Sequence, residues 1–346
     1  MKRVIVIVLV LLLLTIPVQA LELDAPRAPR EAEQFMPDEP ENLQEALYQI
    51  LREVLFRLRP DLKEACASCL SVIGSVIVIS LVGSFSGRTK RITELAGVVL
   101  IAGTLLNTSG SLIQLGMDTV SEISEYGKLM IPVLTAGLAA QGGVSTSAAL
   151  YSATALFNGI LSSLISKVLR PMIYLYLALA AGNCALRNDT LKKLRDAVKW
   201  AMTWSLKNIL YLFTGFIGIT GVISGTTDAA ALKAAKLTIS GMVPVVGGIL
   251  SDASEAILVG AAAVKNAAGI YGLFAVLAIW LGPFLKIGTH YLILKVTGGI
   301  CGVFGSKNSV ELINDFATAM GLLLGCTAAV CFIFLISAVC FMRGIG

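Results

Sequence analysis

The sequence predicts an all-α, polytopic membrane protein whose helices include short, broken or re-entrant pieces. Three observations carry that reading. Hydrophobic residues make up 56% of the 346 and charged residues only 14%, with a mean hydropathy of +0.83, far from the balance of an ordinary soluble domain. Apolar runs close to the ~20 residues that a bilayer-spanning helix needs recur from Cys66 to the C-terminus. Period-two alternation in ~10-residue segments, the mark of a membrane barrel, is absent.

Lys2 and Arg3 precede an apolar run from Val4 to Leu14, and Val18-Gln19-Ala20 supplies small residues before Leu21. Residues 1–20 therefore read as a signal peptide cleaved after Ala20, with an uncleaved anchor helix as the alternative. In both cases residues 21–64 are expected outside the cytoplasm, and half of the 22 Asp and Glu residues fall there. From Leu21 to Glu41, Pro26, Pro29, Pro37 and Pro40 stand among acidic residues, with too little apolar surface to offset ordering entropy; this predicts a flexible leader. Leu43, Leu47, Ile50, Leu51, Val54, Leu55 and Leu58 then recur at helical spacing until Pro60. That amphipathic helix suits the outer membrane surface, a partner, or its own bundle.

Residues 65–346 form the membrane domain. A first span from Cys66 to Phe85 is followed by Arg88, Lys90 and Arg91, which the positive-inside rule places in the cytoplasm. A second span, Leu95 to Leu115, returns outward to an expected loop carrying Asp118, Glu122 and Glu125. Between Leu129 and Leu186 the apolar chain is interrupted at Gly142-Gly143 and at Arg170-Pro171, which predicts three short spans or one span flanked by re-entrant halves. Arg187, Lys192, Lys193, Arg195 and Lys199 form the richest basic cluster and are expected inside. Leu191, Leu194 and Val198 share a face there, so the stretch reads as an interfacial helix with Trp200 and Trp204 at headgroup depth. Further spans are expected at Trp204 to Ile223, Ile270 to Phe284, Tyr291 to Phe304 and Phe316 to Phe341. The count is about nine crossings, with Arg343 in the cytoplasm.

Net charge is +5, and the basic residues flank apolar runs instead of forming a stripe interleaved with aromatics, so no nucleic-acid partner is expected. No HExxH, GxSxG or GxxxxGK[ST] occurs, and no catalytic residue, cofactor or metal is assigned. His290 is the only histidine and reads as an interfacial or packing residue ahead of a proton relay. Cys66-Ala67-Ser68-Cys69 has dithiol spacing but no second CxxC or histidine partner, so packing is the preferred reading. GxxxG spacings at Gly221 to Gly225, Gly298 to Gly302 and Gly321 to Gly325 permit close helix approach.

The most unusual stretch runs from Ser240 to Asn266. Pro244 and Gly247-Gly248 break one helix there, Ser251 and Asp252 precede the next, Glu255 stands where a third-position carboxylate would, and Lys265-Asn266 closes it. Capping accounts for these charges; a broken helix lining a polar path is the alternative.

Here the sequence resembles the stage III sporulation protein AE family. The carrying residues are Ala235-Lys236, Pro244-Val245-Val246-Gly247-Gly248, Ser251-Asp252-Ala253 and Lys265-Asn266 with Gly269, together with Gly142-Gly143 and Thr146-Ser147-Ala148-Ala149-Leu150. The resemblance implies a multi-pass subunit in the mother-cell membrane, part of the transenvelope complex that joins mother cell and forespore. That complex serves late forespore gene expression and includes a cytoplasmic ATPase and intermembrane-space ring proteins. It brings no catalytic residues with it. The competing reading is a stand-alone secondary transporter for a small solute, against which the lack of a recognisable inverted repeat counts.

Overall fold

The computed structural model describes residues 26–36, 43–85, 90–140, 144–219, 267–304 and 307–343, and every regular element among them is helical. They are α1 (Arg30–Glu33), α2 (Leu43–Arg57), α3 (Arg59–Phe85), α4 (Lys90–Ala140), α5 (Val144–Leu164), a π turn (Ile165–Leu169), α6 (Arg170–Leu186), α7 (Asp189–Ile219), α8 (Ala267–Phe304) and α9 (Lys307–Arg343). Five stretches among the described residues are long and apolar enough to cross a membrane: Arg59–Phe85, Ile92–Ala136, Ser147–Leu186, Gly269–Val303 and Lys307–Met342.

α9 is the axis of the bundle. Every residue from Ala319 to Met342 is buried, enclosed by α4, α5, α6, α7 and α8. Lipid tails are as apolar as leucine, so such a helix is held by tight packing and by occasional hydrogen bonds. Both are present. A Cβ on Gly116 of α4 would lie 2.5 Å from Leu323 Cδ1, and one on Gly272 of α8 would lie 2.6 Å from Met130 Cε. Thr154 Oγ1 of α5 donates to Ser337 Oγ of α9 at 3.0 Å in the dry interior. Of the GxxxG glycines, Gly298 abuts Asn314 and Gly321 abuts Tyr291 across the α8–α9 contact, while Gly302 faces open space; Gly221 and Gly225 lie outside the described residues.

The expected loop at Asp118, Glu122 and Glu125 is instead part of α4, which runs unbroken for 51 residues. Met117, Val120, Ile123, Tyr126 and Met130 are buried at helical spacing, and the charges fall on the other side of the same helix. The interruption expected at Arg170-Pro171 is also bridged. Pro171, which lacks an N–H, follows the π turn, and the wider turn lets α5 continue into α6. Leu129 to Leu186 thus holds the end of α4 and the whole of α5–α6, and residues 141–143 lie outside the described residues.

The leader departs from its expected flexibility where it is described. Ala28 and Ala32 are buried, the Ala28 N–H donates to Tyr271 Oη at 3.2 Å, and Tyr126 Oη donates to the Pro26 carbonyl at 3.3 Å. The buried Tyr126 and the half-buried Tyr271 supply the hydrogen bonds that composition could not foresee. α2 packs Ile50 and Val54 on Phe274 of α8, leaving Leu51 and Leu55 exposed. α3 starts at Arg59, ahead of Cys66. Residues 1–25 are outside the described residues.

Successive long helices alternate in direction. Arg187 of the α6–α7 turn contacts Glu94 at the start of α4, so the two basic clusters share one end of the bundle. α9 also starts at that end, where Glu311 meets Arg195 at 2.9 Å. It finishes beside Gly269, whose Cβ would lie 2.5 Å from Met342 Sδ. Arg343 therefore stands about 42 Å along the helix from Asp315 at 1.5 Å per residue, at the end opposite the basic clusters. This corrects the expectation that Arg343 and those clusters share a side. The expected count divides residues 270–304 into two spans, Ile270 to Phe284 and Tyr291 to Phe304, whereas α8 is a single helix there, so among the described residues α9 runs in the opposite direction to the one expected. With the basic end in the cytoplasm, alkaline phosphatase fused after Arg343 is expected to be active in cells and a green fluorescent protein fusion dark. An inactive phosphatase with a bright fluorescent fusion would restore the cytoplasmic C-terminus.

Candidate functional site

The residues singled out from sequence, Pro244, Gly247, Gly248, Ser251, Asp252, Glu255, Lys265 and Asn266, lie outside the described residues. Gly269, just beyond them, opens α8 against Met342 and Leu134, at the end of the bundle away from the basic clusters.

The described residues assemble a different polar site at the basic end. α6 ends in a left-handed cap at Arg187 (φ 53°), whose N–H bonds the Asn183 carbonyl at 2.8 Å. Asn188 Oδ1 then accepts the Thr190 N–H at 2.8 Å and starts α7. This two-residue turn lays α7 back along α6 and sets its inward register: Leu191, Arg195, Val198, Met202, Leu206, Leu210 and Phe213. Arg195 takes a place where the periodicity calls for an apolar side chain, and Leu194, expected to share a face with Leu191 and Val198, is exposed.

With its side chain only 7% exposed, Arg195 is held from three directions. Nη1 lies 2.6 Å from Asp315 Oδ2 and 2.9 Å from Glu311 Oε1 of α9, and Nη2 lies 2.9 Å from Asp196 Oδ1. Tyr176 of α6 donates to the other Asp315 oxygen at 2.9 Å, and Lys192 Nζ stands 3.8 Å from Glu311. Burial works against the guanidinium charge, but the hydrogen bond to Glu311 and the charges of Asp315 and Asp196 outweigh it and push the Arg195 pKa upward. The donors and acceptors satisfy one another, so the cluster fastens α6, α7 and α9 together and offers no activated nucleophile. Its outer rim stays wet: Lys192 and Asp196 are more than half exposed. Trp200 and Trp204 stack beyond it with ring centroids 6.0 Å apart, both exposed, as suits headgroup depth. They sit on one continuous α7, so the expected interfacial helix and the following span are a single element through Ile219.

A second polar spot lies between α3, α4 and α8. A cavity of about 30 Å³ is lined by Ser68, Cys69, Thr108, Ser109, His290 and Thr297 among apolar neighbours, room for a water molecule. His290 is 8% exposed and one ring nitrogen, Nδ1, bonds the Lys286 carbonyl at 3.0 Å. Cys69 contacts Thr297, while Cys66 is exposed; both are free thiols. Cys184, Cys301, Cys326, Cys331 and Cys340 are buried. Among the described residues no group of three or more His, Cys, Asp and Glu is arranged to hold a metal.

Removing one member of a buried ion pair strands the other, at a cost of about 3 to 5 kcal/mol, whereas replacing both by apolar residues is close to neutral. Arg195→Met is therefore expected to cut the thermal stability of the detergent-solubilised protein sharply, and Arg195→Met with Asp315→Leu to recover most of the loss. Tyr176→Phe removes one hydrogen bond to a charged group and is expected to cost about 1.5 to 3 kcal/mol. Equal losses in the single and double variants would show that the pair is not coupled.

A family model described as stage III sporulation protein AE matches residues 38–344 of this chain. The stage III sporulation protein AE of Bacillus subtilis (strain 168) is 22% identical over 269 residues, covering 78% of this chain and 67% of that protein. No solved structure matches.

Proposed function

This chain belongs to the stage III sporulation protein AE family, and from that membership we propose that it is the multi-pass subunit of a transenvelope, channel-like complex between mother cell and forespore. It sits in the mother-cell membrane with its mature N-terminus outside the cytoplasm and serves late forespore gene expression after engulfment. Its partners are other stage III sporulation proteins: a cytoplasmic ATPase on one side and ring-forming proteins in the intermembrane space on the other. The observation that carries this reading is the family match across nearly the whole chain. Two features support it. No GxxxxGK[ST] motif occurs in the sequence, so any energy the subunit uses comes from a partner or an ion gradient, and the basic clusters gathered around Arg195 offer a cytoplasmic docking face with a wet rim of Lys192 and Asp196.

Deleting the gene is expected to leave vegetative growth intact and to arrest sporulation after engulfment. A growth defect tied to one nutrient, with normal spores, would instead identify a stand-alone secondary transporter.

The stretch from Ser240 to Asn266 belongs to the same proposal as a broken helix. Pro244 and Gly247-Gly248 end one piece; Ser251 and Asp252 begin another, with Glu255 in its first turn and Lys265-Asn266 at its end. An unpaired carboxylate at mid-bilayer costs about 2.5 to 3.5 kcal/mol on insertion scales, so Asp252 acts in a cap, at an interface or in a polar cavity. If capping is its whole role, Asp252→Asn and Asp252→Ser sporulate normally while Asp252→Ala loses about 1 kcal/mol of stability. Spore yield at matched membrane abundance reads the result, and failure of both Asn and Ser would assign the role to the charge.

A further inference from the structure

The outward face of α7 changes character along its length. Lys193, Ala197, Trp200, Trp204, Lys207 and Tyr211 are all exposed and follow one another at alternating steps of four and three residues, which keeps them on one side of the helix. The other side carries Val198, Met202, Leu206 and Leu210, buried in the bundle. Trp200 and Trp204 are 65% and 55% exposed and lie stacked on each other. An apolar ring with a polar N–H is best placed where headgroups meet acyl chains, and two indoles this open mark that level on α7.

The neighbouring helix supplies charge at the same height. Phe157 of α5 meets Phe213 of α7 with ring centroids 5.4 Å apart, which sets one helix against the other. Counted from that contact toward the basic end, Trp204 and Lys167 of the π turn each lie about 14 Å away, and Lys207 about 9 Å. Lys167, Lys193 and Lys207 are exposed, and among the described residues no carboxylate pairs with any of them. Arg187, Lys192 and Arg195, by contrast, are engaged with Glu94, Glu311 and Asp315. Around the Phe157–Phe213 contact the exterior is apolar: Leu156 and Ile160 of α5 and Tyr211, Leu212 and Phe216 of α7 are exposed. From that tier to the tryptophans, the same two helices pass from a surface for acyl chains to a cationic, aromatic one. A phospholipid runs in the same order from its chains to its phosphate.

We propose that the outward face of α7 around Trp200, Trp204 and Lys207 binds an anionic phospholipid, its headgroup held by Lys207 beside the indoles and its acyl chains laid over Tyr211 and Leu212. Lys193 and Lys167 flank the headgroup and add to the attraction. Charge complementarity selects this occupant: a zwitterionic lipid brings its own ammonium to the lysines, whereas phosphatidylglycerol brings net negative charge. Lysine stems lie along apolar surface while the ammonium reaches for the headgroup, so cations a turn above or below the indoles serve the same phosphate level. The site needs only the membrane, and it stands whether or not the chain works in a transenvelope complex.

The test is quenching of tryptophan fluorescence by lipid, in the full-length chain reconstituted in vesicles. The chain has three tryptophans and Trp280 is buried, so Trp200 and Trp204 report contact with lipid. Vesicles contain equal parts of phosphatidylglycerol and phosphatidylcholine, with brominated, quenching acyl chains first on one lipid and then on the other. Phosphatidylglycerol is expected to be favoured at the tryptophan pair about fivefold or more, since a single lysine near an anionic headgroup is worth about that factor. Lys167→Gln, Lys193→Gln and Lys207→Gln together are expected to bring the ratio close to one, and Lys128→Gln on α4 to leave it unchanged. Equal quenching by the two lipids in the unaltered chain would overturn the proposal. A preference that survives the triple substitution would overturn the assignment to these lysines. Quenching by neither lipid, with the chain inserted in the vesicles, would overturn lipid as the occupant and give the face to a protein partner.

Discussion

The arrangement of this protein follows from the need to enclose α9. A helix buried continuously from Ala319 to Met342 gains little from leaving lipid, because its surroundings are equally apolar on either side. Its stability depends on contact density. The glycines are spent on that contact: Gly116 admits Leu323, and Gly127 admits Phe334. Buried hydroxyls add direction without charge, as between Thr154 and Ser337. The surrounding helices are then constrained to run along α9 for much of its length, which explains why α4, α5–α6 and α8 are all far longer than one bilayer crossing requires.

At the basic end the constraint changes from packing to charge. Arg195 occupies an inward position on α7 and is tolerated only because α9 presents Asp315 and Glu311, and α6 presents Tyr176 through Asp315. Such a cluster contributes less to net stability than an apolar core of equal volume, and what it adds is registration. It fixes the height of α7 against α9, and with Arg187 reaching Glu94 it holds the starts of α4, α7 and α9 in one plane. The exposed cations on α7 are thereby presented on a rigid base.

The exterior divides in the same physical terms. α3 exposes Leu70, Val78 and Leu81, and α5 and α7 expose Leu156, Ile160, Tyr211 and Leu212. α4 turns Asp118 and Glu125 outward between these apolar surfaces.

The amino-acid sequence by itself determined the solvent of this chain, its helical class, the clustering of cations at one end and the family it resembles, because each depends on local composition or on residues adjacent in the chain. Averaged hydropathy misread α4, since a window that includes Asp118, Glu122 and Glu125 looks like a loop, whereas the burial of Met117, Val120, Ile123 and Tyr126 at helical spacing marks one continuous helix. The side expected for Arg343 turned on a different misreading, the division of Ile270 to Phe304 into two spans where α8 is one helix. Arg195 was legible as a member of the basic cluster but not as buried, although its position between Leu191 and Val198 on the inward stripe was the available signal. The stretch from Pro244 to Asn266 was legible as a broken helix candidate, and its neighbour Gly269 is what the described fold adds to it, by docking the start of α8 on Met342. Only the tertiary structure decided which carboxylates meet Arg195 and which face of α4 is left outside. Both are set by helix direction and by the height of one helix against the next, quantities that belong to pairs of distant segments and leave no mark in either one alone.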